Sequence, residues 1–66
     1  MTIVLNGEAF ETVGHVTVGR LLDTLDIDPR RVAVEHNLTV VKKSAYNSTV
    51  INDGDEIEVV NFVGGG

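Results

Sequence analysis

Cysteine is absent from the 66 residues. That rules out a disulfide framework and any cysteine-based metal site, so the fold has to stand on its apolar interior. Basic side chains are also scarce, five against ten acids, for a net charge of −5. Proteins that hold nucleic acid or an anionic membrane surface use basic patches that displace counterions from phosphates. This charge balance argues against both, and it suits a partner protein with a basic docking face. Long hydrophobic runs are missing too, so no segment is expected to span a membrane. The opening MTIVLNGEAF has no basic stretch leading into a long apolar one, as a signal peptide would. The expectation is one cytoplasmic domain near the lower size limit for a single core. Hydrophobic residues make up 42% of the chain, enough to build that core.

The apolar residues are ordered. In TIVLN, Ile3 and Leu5 alternate with Thr2, Val4 and Asn6, and Ala9 and Phe10 begin a second apolar stretch. Asn6-Gly7 between them provides the two positive-φ positions of a tight type I′ hairpin turn. In TVGRLLDTLD, the residues Val18, Leu21, Leu22 and Leu25 recur at i, i+3, i+4 and i+7, one stripe of a helix. Thr17 is placed to cap that helix, Gly19 weakens it slightly, and Asp28-Pro29 is expected to stop it, because the residue before proline avoids the helical region. RVAVEHN predicts a strand with Val32 and Val34 on one face and Ala33 on the other. A turn near His36-Asn37 and a short strand in LTVVKK follow, then an irregular piece or single helical turn in SAYNS. Asp53-Gly54 is turn chemistry. The last strand alternates, with Ile57, Val59 and Phe62 facing the core.

A hairpin, one amphipathic helix and further strands predict an α+β fold, a two-layer sandwich with the helix across one sheet face. A final strand lying beside the first would run parallel to it, with the helix in the crossover. That is the β-grasp, or ubiquitin-like, arrangement: a mixed sheet packed on one main helix. The domain is expected over residues 1–62, with 63–66 an extended, flexible C-terminal tail.

Catalytic machinery is hard to find. His15 and His36 fall in apparent turns, away from any His and carboxylate pattern at metal-ligand spacing. Asp53, Asp55, Glu56 and Glu58 lack the frame of a calcium loop and read as a turn entering an exposed strand face. VGR and VGGG are not phosphate loops. Asn37-Leu38-Thr39 and Asn47-Ser48-Thr49 match the glycosylation triplet by chance in a chain with no secretory signal. No catalytic residue and no metal ligand is assigned.

The ending Asn61-Phe62-Val63-Gly64-Gly65-Gly66 stands apart. A frayed terminus or an expression scar would explain three glycines. A functional explanation accounts for more: without Cβ atoms an extended tail can thread a narrow channel. Val63 to Gly66 would reach about 13 Å past the last strand pair. That suits presenting one carboxylate inside another protein's pocket.

The opening IVLNG, the helix TVGRLL, the strand VAVEHN, the turn DGDEIEVV and the ending FVGGG together resemble the ThiS family, the sulfur carrier proteins of thiamin thiazole biosynthesis. The resemblance covers the whole chain and implies a β-grasp carrier rather than an enzyme. It implies that a ThiF-type adenylyltransferase uses ATP to adenylate Gly66 and that a sulfur-donating persulfide enzyme converts it to a thiocarboxylate. Thiazole synthase then takes the sulfur. The resemblance implies no bound cofactor, with the sulfur carried covalently on Gly66. Gly65, Gly64 and Val63 are implied in tail recognition, and Phe62 and Asn61 border the candidate partner surface. Arg20 departs from the pattern, since many relatives place there an acid that completes a capping box. The alternatives are a sulfur carrier for molybdopterin, cysteine or tRNA thiolation, a ubiquitin-like protein modifier, or a plain β-grasp binding module.

Overall fold

The computed structural model describes residues 1–61. The chain begins with β1 (Thr2–Leu5) and β2 (Glu8–Glu11), paired antiparallel. Asn6 and Gly7 between them have φ of 49° and 83°, the two left-handed positions that a type I′ turn requires. β3 (Val16–Thr17) runs directly into α1 (Val18–Thr24). Thr17 caps the helix as expected, its Oγ1 accepting from the Arg20 N–H at 3.1 Å. Half of a capping box is therefore present without an acid at position 20.

The helix ends earlier than Asp28-Pro29. The Ile27 N–H donates to the Leu22 carbonyl at 2.9 Å and the Asp26 N–H to the Asp23 carbonyl at 3.0 Å. With Asp26 left-handed at φ 59°, this is a Schellman closure, in which an aspartate holds the position glycine usually takes. Asp28 and Pro29 instead begin a separate 3-10 turn, Pro29–Arg31. The fixed φ of proline suits a first helical position, and Asp28 Oδ1 accepts from the Arg30 N–H at 2.9 Å.

β4 (Val32–His36) and β5 (Thr39–Val41) form a second hairpin. Its turn lies at Asn37-Leu38, with φ of 50° and 70°. His36 is thus the last residue of β4, paired with Thr39, and not a turn residue. A 3-10 turn at Lys43–Ala45, β6 (Val50–Ile51) and β7 (Glu56–Asn61) complete the described chain. β3 and β6 pair with each other in a small ladder the sequence did not signal. Two residues are too few for alternation to be visible.

The main sheet has the order β2-β1-β7-β4-β5. β7 occupies its centre, parallel to β1 and antiparallel to β4. The β-grasp order expected from the sequence is therefore the order observed. One sheet face packs on α1, and between them lie Ile3, Val18, Leu21, Leu22, Val32, Val34, Tyr46, Ile51 and Ile57, all buried. The Tyr46 hydroxyl donates to the Val32 carbonyl at 3.1 Å, so the one tyrosine joins the core without an unpaired polar atom. Gly19 has a positive role besides its small helix penalty. Its N–H donates to the Tyr46 carbonyl at 2.8 Å, and a Cβ there would sit 2.0 Å from Asn47 Oδ1.

Ile57, near the start of the central strand, is 1% exposed. Replacing it with alanine is expected to lower unfolding stability by about 3 kcal/mol, from lost burial and the cavity left behind. Urea denaturation measures this, and a loss below about 1 kcal/mol would mean that β7 does not hold the core together.

Candidate functional site

The site follows from how β7 is held and where it leads. In the parallel pair, the Val4 N–H donates to the Asp55 carbonyl at 2.9 Å and the Asn6 N–H to the Ile57 carbonyl at 2.8 Å. β1 then turns away at Gly7. The Asn6 side chain continues the ladder in its place: Oδ1 accepts from the Val59 N–H at 2.7 Å, and Nδ2 donates to the Val59 carbonyl at 3.3 Å. An amide side chain thus acts as one more strand residue. Sequence reading assigned Asn6 only to the turn.

On its other side β7 stays paired with β4 as far as Val32 and Asn61. Asn61 is exposed. Residues 57 and 59 turn their backbone groups toward β1, and strand alternation sends those of Asn61 the same way, past the point where β1 and Asn6 end. The base of the predicted tail is therefore anchored on one side and open on the other. Phe62, Val63, Gly64, Gly65 and Gly66 lie outside the described residues.

The sheet face away from the helix carries Glu35 of β4, Val40 of β5, and Glu56, Glu58 and Val60 of β7, all exposed. Val40 is 68% exposed, Val60 57%, and Leu38 at the adjacent turn 84%. Apolar and acidic residues are interleaved, which fits the expected partner with a basic face. Nothing in the sequence singled out Leu38, since a strand-turn-strand pattern favours Asn-Gly at these positions.

The acids at the β7 entrance serve the fold. Asp53 Oδ1 accepts from the Thr2 N–H at 2.9 Å. Asp55 is more deeply engaged. His36 Nε2 lies 2.6 Å from Asp55 Oδ2, and an ionised carboxylate can only accept, so Nε2 carries the proton. The Asn52 N–H also donates to Oδ2 at 2.8 Å, and Asn37 Nδ2 to Oδ1 at 3.2 Å. Asn37 Oδ1 in turn accepts from the Glu56 N–H at 2.8 Å. His36, expected in a turn away from any carboxylate pattern, instead joins two turns through Asp55. Its side chain is 22% exposed. His15 is exposed in the connection to β3.

Burial is the largest single influence on Asp55 and raises its pKa. The combined bonds from His36, the Asn52 N–H and Asn37 outweigh it and hold the carboxyl below the ordinary 3.8. Asp28, bonded by the Arg30 side chain and backbone N–H, is pulled down to about 2. On the helix side, a groove of about 610 Å³ is bordered by Arg20, Arg30, Lys43 and Tyr46. Arg30 is engaged there by Asp28 at 2.9 Å. Lys43 Nζ donates to the Pro29 and Val32 carbonyls, each at 3.0 Å. Among the described residues no group of three or more His, Asp or Glu is placed to hold a metal ion, and no helix is long and apolar enough to cross a membrane.

A mixed sheet with a central parallel pair, a helix crossover and an open acidic-apolar face defines a β-grasp protein. The ThiS family model matches residues 3–66, and the chain belongs to that family. The crystal structure of the thiamine biosynthesis protein ThiS from Geobacter metallireducens superposes with a TM-score of 0.88 at 33% identity, covering all of both chains. The sulfur carrier protein ThiS of Bacillus subtilis is 38% identical over 50 residues, 76% of each chain. A thiazole synthase of Paramagnetospirillum magneticum is 48% identical across the whole of this chain, which spans 20% of that protein's length. A second thiazole synthase, from Magnetococcus marinus, is matched over the same fraction.

A carboxyl group whose pKa is depressed by folding stabilises the fold above its ordinary value, and the contribution disappears as pH falls through the folded value. Stability should therefore decline below about pH 4, where these carboxyls protonate in the unfolded chain while the fold still holds them ionised. Asp55→Asn is expected to lower stability at neutral pH by about 2 kcal/mol and to flatten that acid decline. Chemical denaturation at pH 7 and pH 3 checks both, and an unchanged acid slope would mean that the bonds to Asp55 contribute nothing.

Proposed function

We propose that this chain is a sulfur carrier for the thiazole step of thiamin synthesis, and that Gly66 is its reacting residue. The observation that carries this reading is the family match running through Gly66, downstream of a strand held at the centre of the sheet. Within the reading, residues 63–66 form the extended tail that enters a partner's active site, while residues 1–62 are the handle.

The chemistry follows from the carboxylate. A free carboxylate is a poor electrophile. A ThiF-type adenylyltransferase joins the Gly66 carboxylate to AMP from ATP, releasing pyrophosphate and leaving an acyl group with a good leaving group. A persulfide sulfur then attacks the acyl carbon and expels AMP. Cleavage of the resulting S–S bond by a second thiol leaves the Gly66 thiocarboxylate, an anionic nucleophile that thiazole synthase consumes. Gly65 and Gly64 keep side chains out of the channel, and Val63 and Phe62 lead into it. A protein gripping the tail would meet the open side of Asn61, where an extended segment could add backbone hydrogen bonds. The carrier itself holds no cofactor, the ATP belongs to the partner, and the exchange takes place in the cytoplasm.

The two thiazole synthases that contain a segment like this chain favour the thiamin pathway over molybdopterin, cysteine or tRNA thiolation. They also make thiazole synthase the natural recipient. ATP–pyrophosphate exchange by a ThiF-type adenylyltransferase is the direct test. The full chain should support exchange, and deletion of Gly65-Gly66 should reduce it by about 100-fold or more, since misplacing a reacting group by even about 1 Å has that effect. Equal exchange with the shortened chain would remove Gly66 from the mechanism.

A further inference from the structure

Leu38 is in an unfavourable conformation with no compensation inside the described fold. Its φ is 70°, in the left-handed region. There the Cβ of an L-residue crowds the following carbonyl oxygen, which asparagine and aspartate relieve by local hydrogen bonds and leucine does not. The residue is 84% exposed, so packing does not offset the strain. Two residues on, Val40 is also largely exposed, and Val60 lies on the same open face. The strands β4, β5 and β7 that form this part of the face carry Glu35, Glu56 and Glu58, against one exposed lysine, Lys42, just past the end of β5. A strained backbone position displaying an apolar side chain to solvent, within an acidic surround, has the features of a contact made outside the chain.

We propose that Leu38 is an anchor by which the enzyme that adenylates Gly66 grips the body of the carrier. The side chain enters an apolar pocket of the enzyme, and lysines or arginines on the pocket's rim face Glu35 and Glu58. This rests on the adenylation reading above. The activating enzyme is the occupant because it alone must choose an unmarked carboxylate. A glycine tail offers it almost no side chain to recognise, whereas later steps meet an acyl-adenylate or a thiocarboxylate, each a group that identifies itself. Discrimination at the first step therefore falls to the body. The hairpin turn is well placed for this. The Asn37 N–H donates to the Glu56 carbonyl at 2.8 Å, so the turn adjoins the start of β7, and the tail leaves from its end. Strand rise separates the two by about 17 Å, far enough for two grips to set the orientation of the carrier.

The test uses three full-length variants in ATP–pyrophosphate exchange with a ThiF-type adenylyltransferase, measured against carrier concentration. Leu38→Gly and Leu38→Asn both suit the left-handed position, and Leu38→Met keeps the apolar anchor together with the strain. The first two should raise the apparent KM for the carrier about tenfold with kcat unchanged. Leu38→Met should stay within about twofold of the parent. Leu38→Gly should at the same time raise the unfolding midpoint by about 3 °C. A Leu38→Asn chain that matches the parent KM, while the parent exchanges normally, overturns the anchor alone. A parent chain with an intact tail that supports no exchange removes the adenylation reading, and the anchor with it.

Discussion

The structure depends on the parallel pairing of β1 with β7. Parallel neighbours cannot be joined by a tight turn, so the intervening chain must make a long crossover, and α1 is its main packing element. The last described strand then sits at the centre of the sheet, with β1 on one side and β4 on the other. Ile57 on that strand enters the same core as Leu21 and Leu22 on the helix. The element that leads to the glycine ending is therefore the element held on most sides. On the proposed carrier reading, that combination lets the body keep its shape while the end of the chain is offered to a partner.

The polar side chains are spent on the same purpose. Asn6 replaces a strand residue against Val59, Asp53 receives the Thr2 N–H, and the group of His36, Asn37 and Asp55 ties the β4–β5 turn to the entrance of β7. No buried side-chain nitrogen or oxygen among the described residues lacks a hydrogen-bond partner. In a domain this small, with no cysteine to form a disulfide, such bonds fix strand register where the core alone is thin. They also leave these groups occupied with structure, consistent with chemistry located at the end of the chain.

Much of this was legible in the residues. The stripe of Val18, Leu21, Leu22 and Leu25, the Asn-Gly turn and the alternation around Ile57 are periodic or local signals, and the elements they imply are present. The helix stop was misjudged because Pro29 is the louder signal, while the true closure uses an aspartate at a position where glycine is the usual mark. The β3–β6 ladder is too short to have a period. His36 was misjudged because its partner, Asp55, is 19 residues away, and only the pairing of β4 with β7 brings them together. The strain at Leu38 has no sequence mark at all.

The central claim is that Gly66 carries sulfur. Intact-mass spectrometry of the protein isolated from cells starved of thiamin measures it most directly, since the claim requires an accessible terminal carboxylate. The account predicts a fraction heavier by about 16 Da, the difference between sulfur and oxygen, localised by fragmentation to Gly66. A terminus found only as the unmodified carboxylate, or only in amide linkage to other proteins, would contradict it.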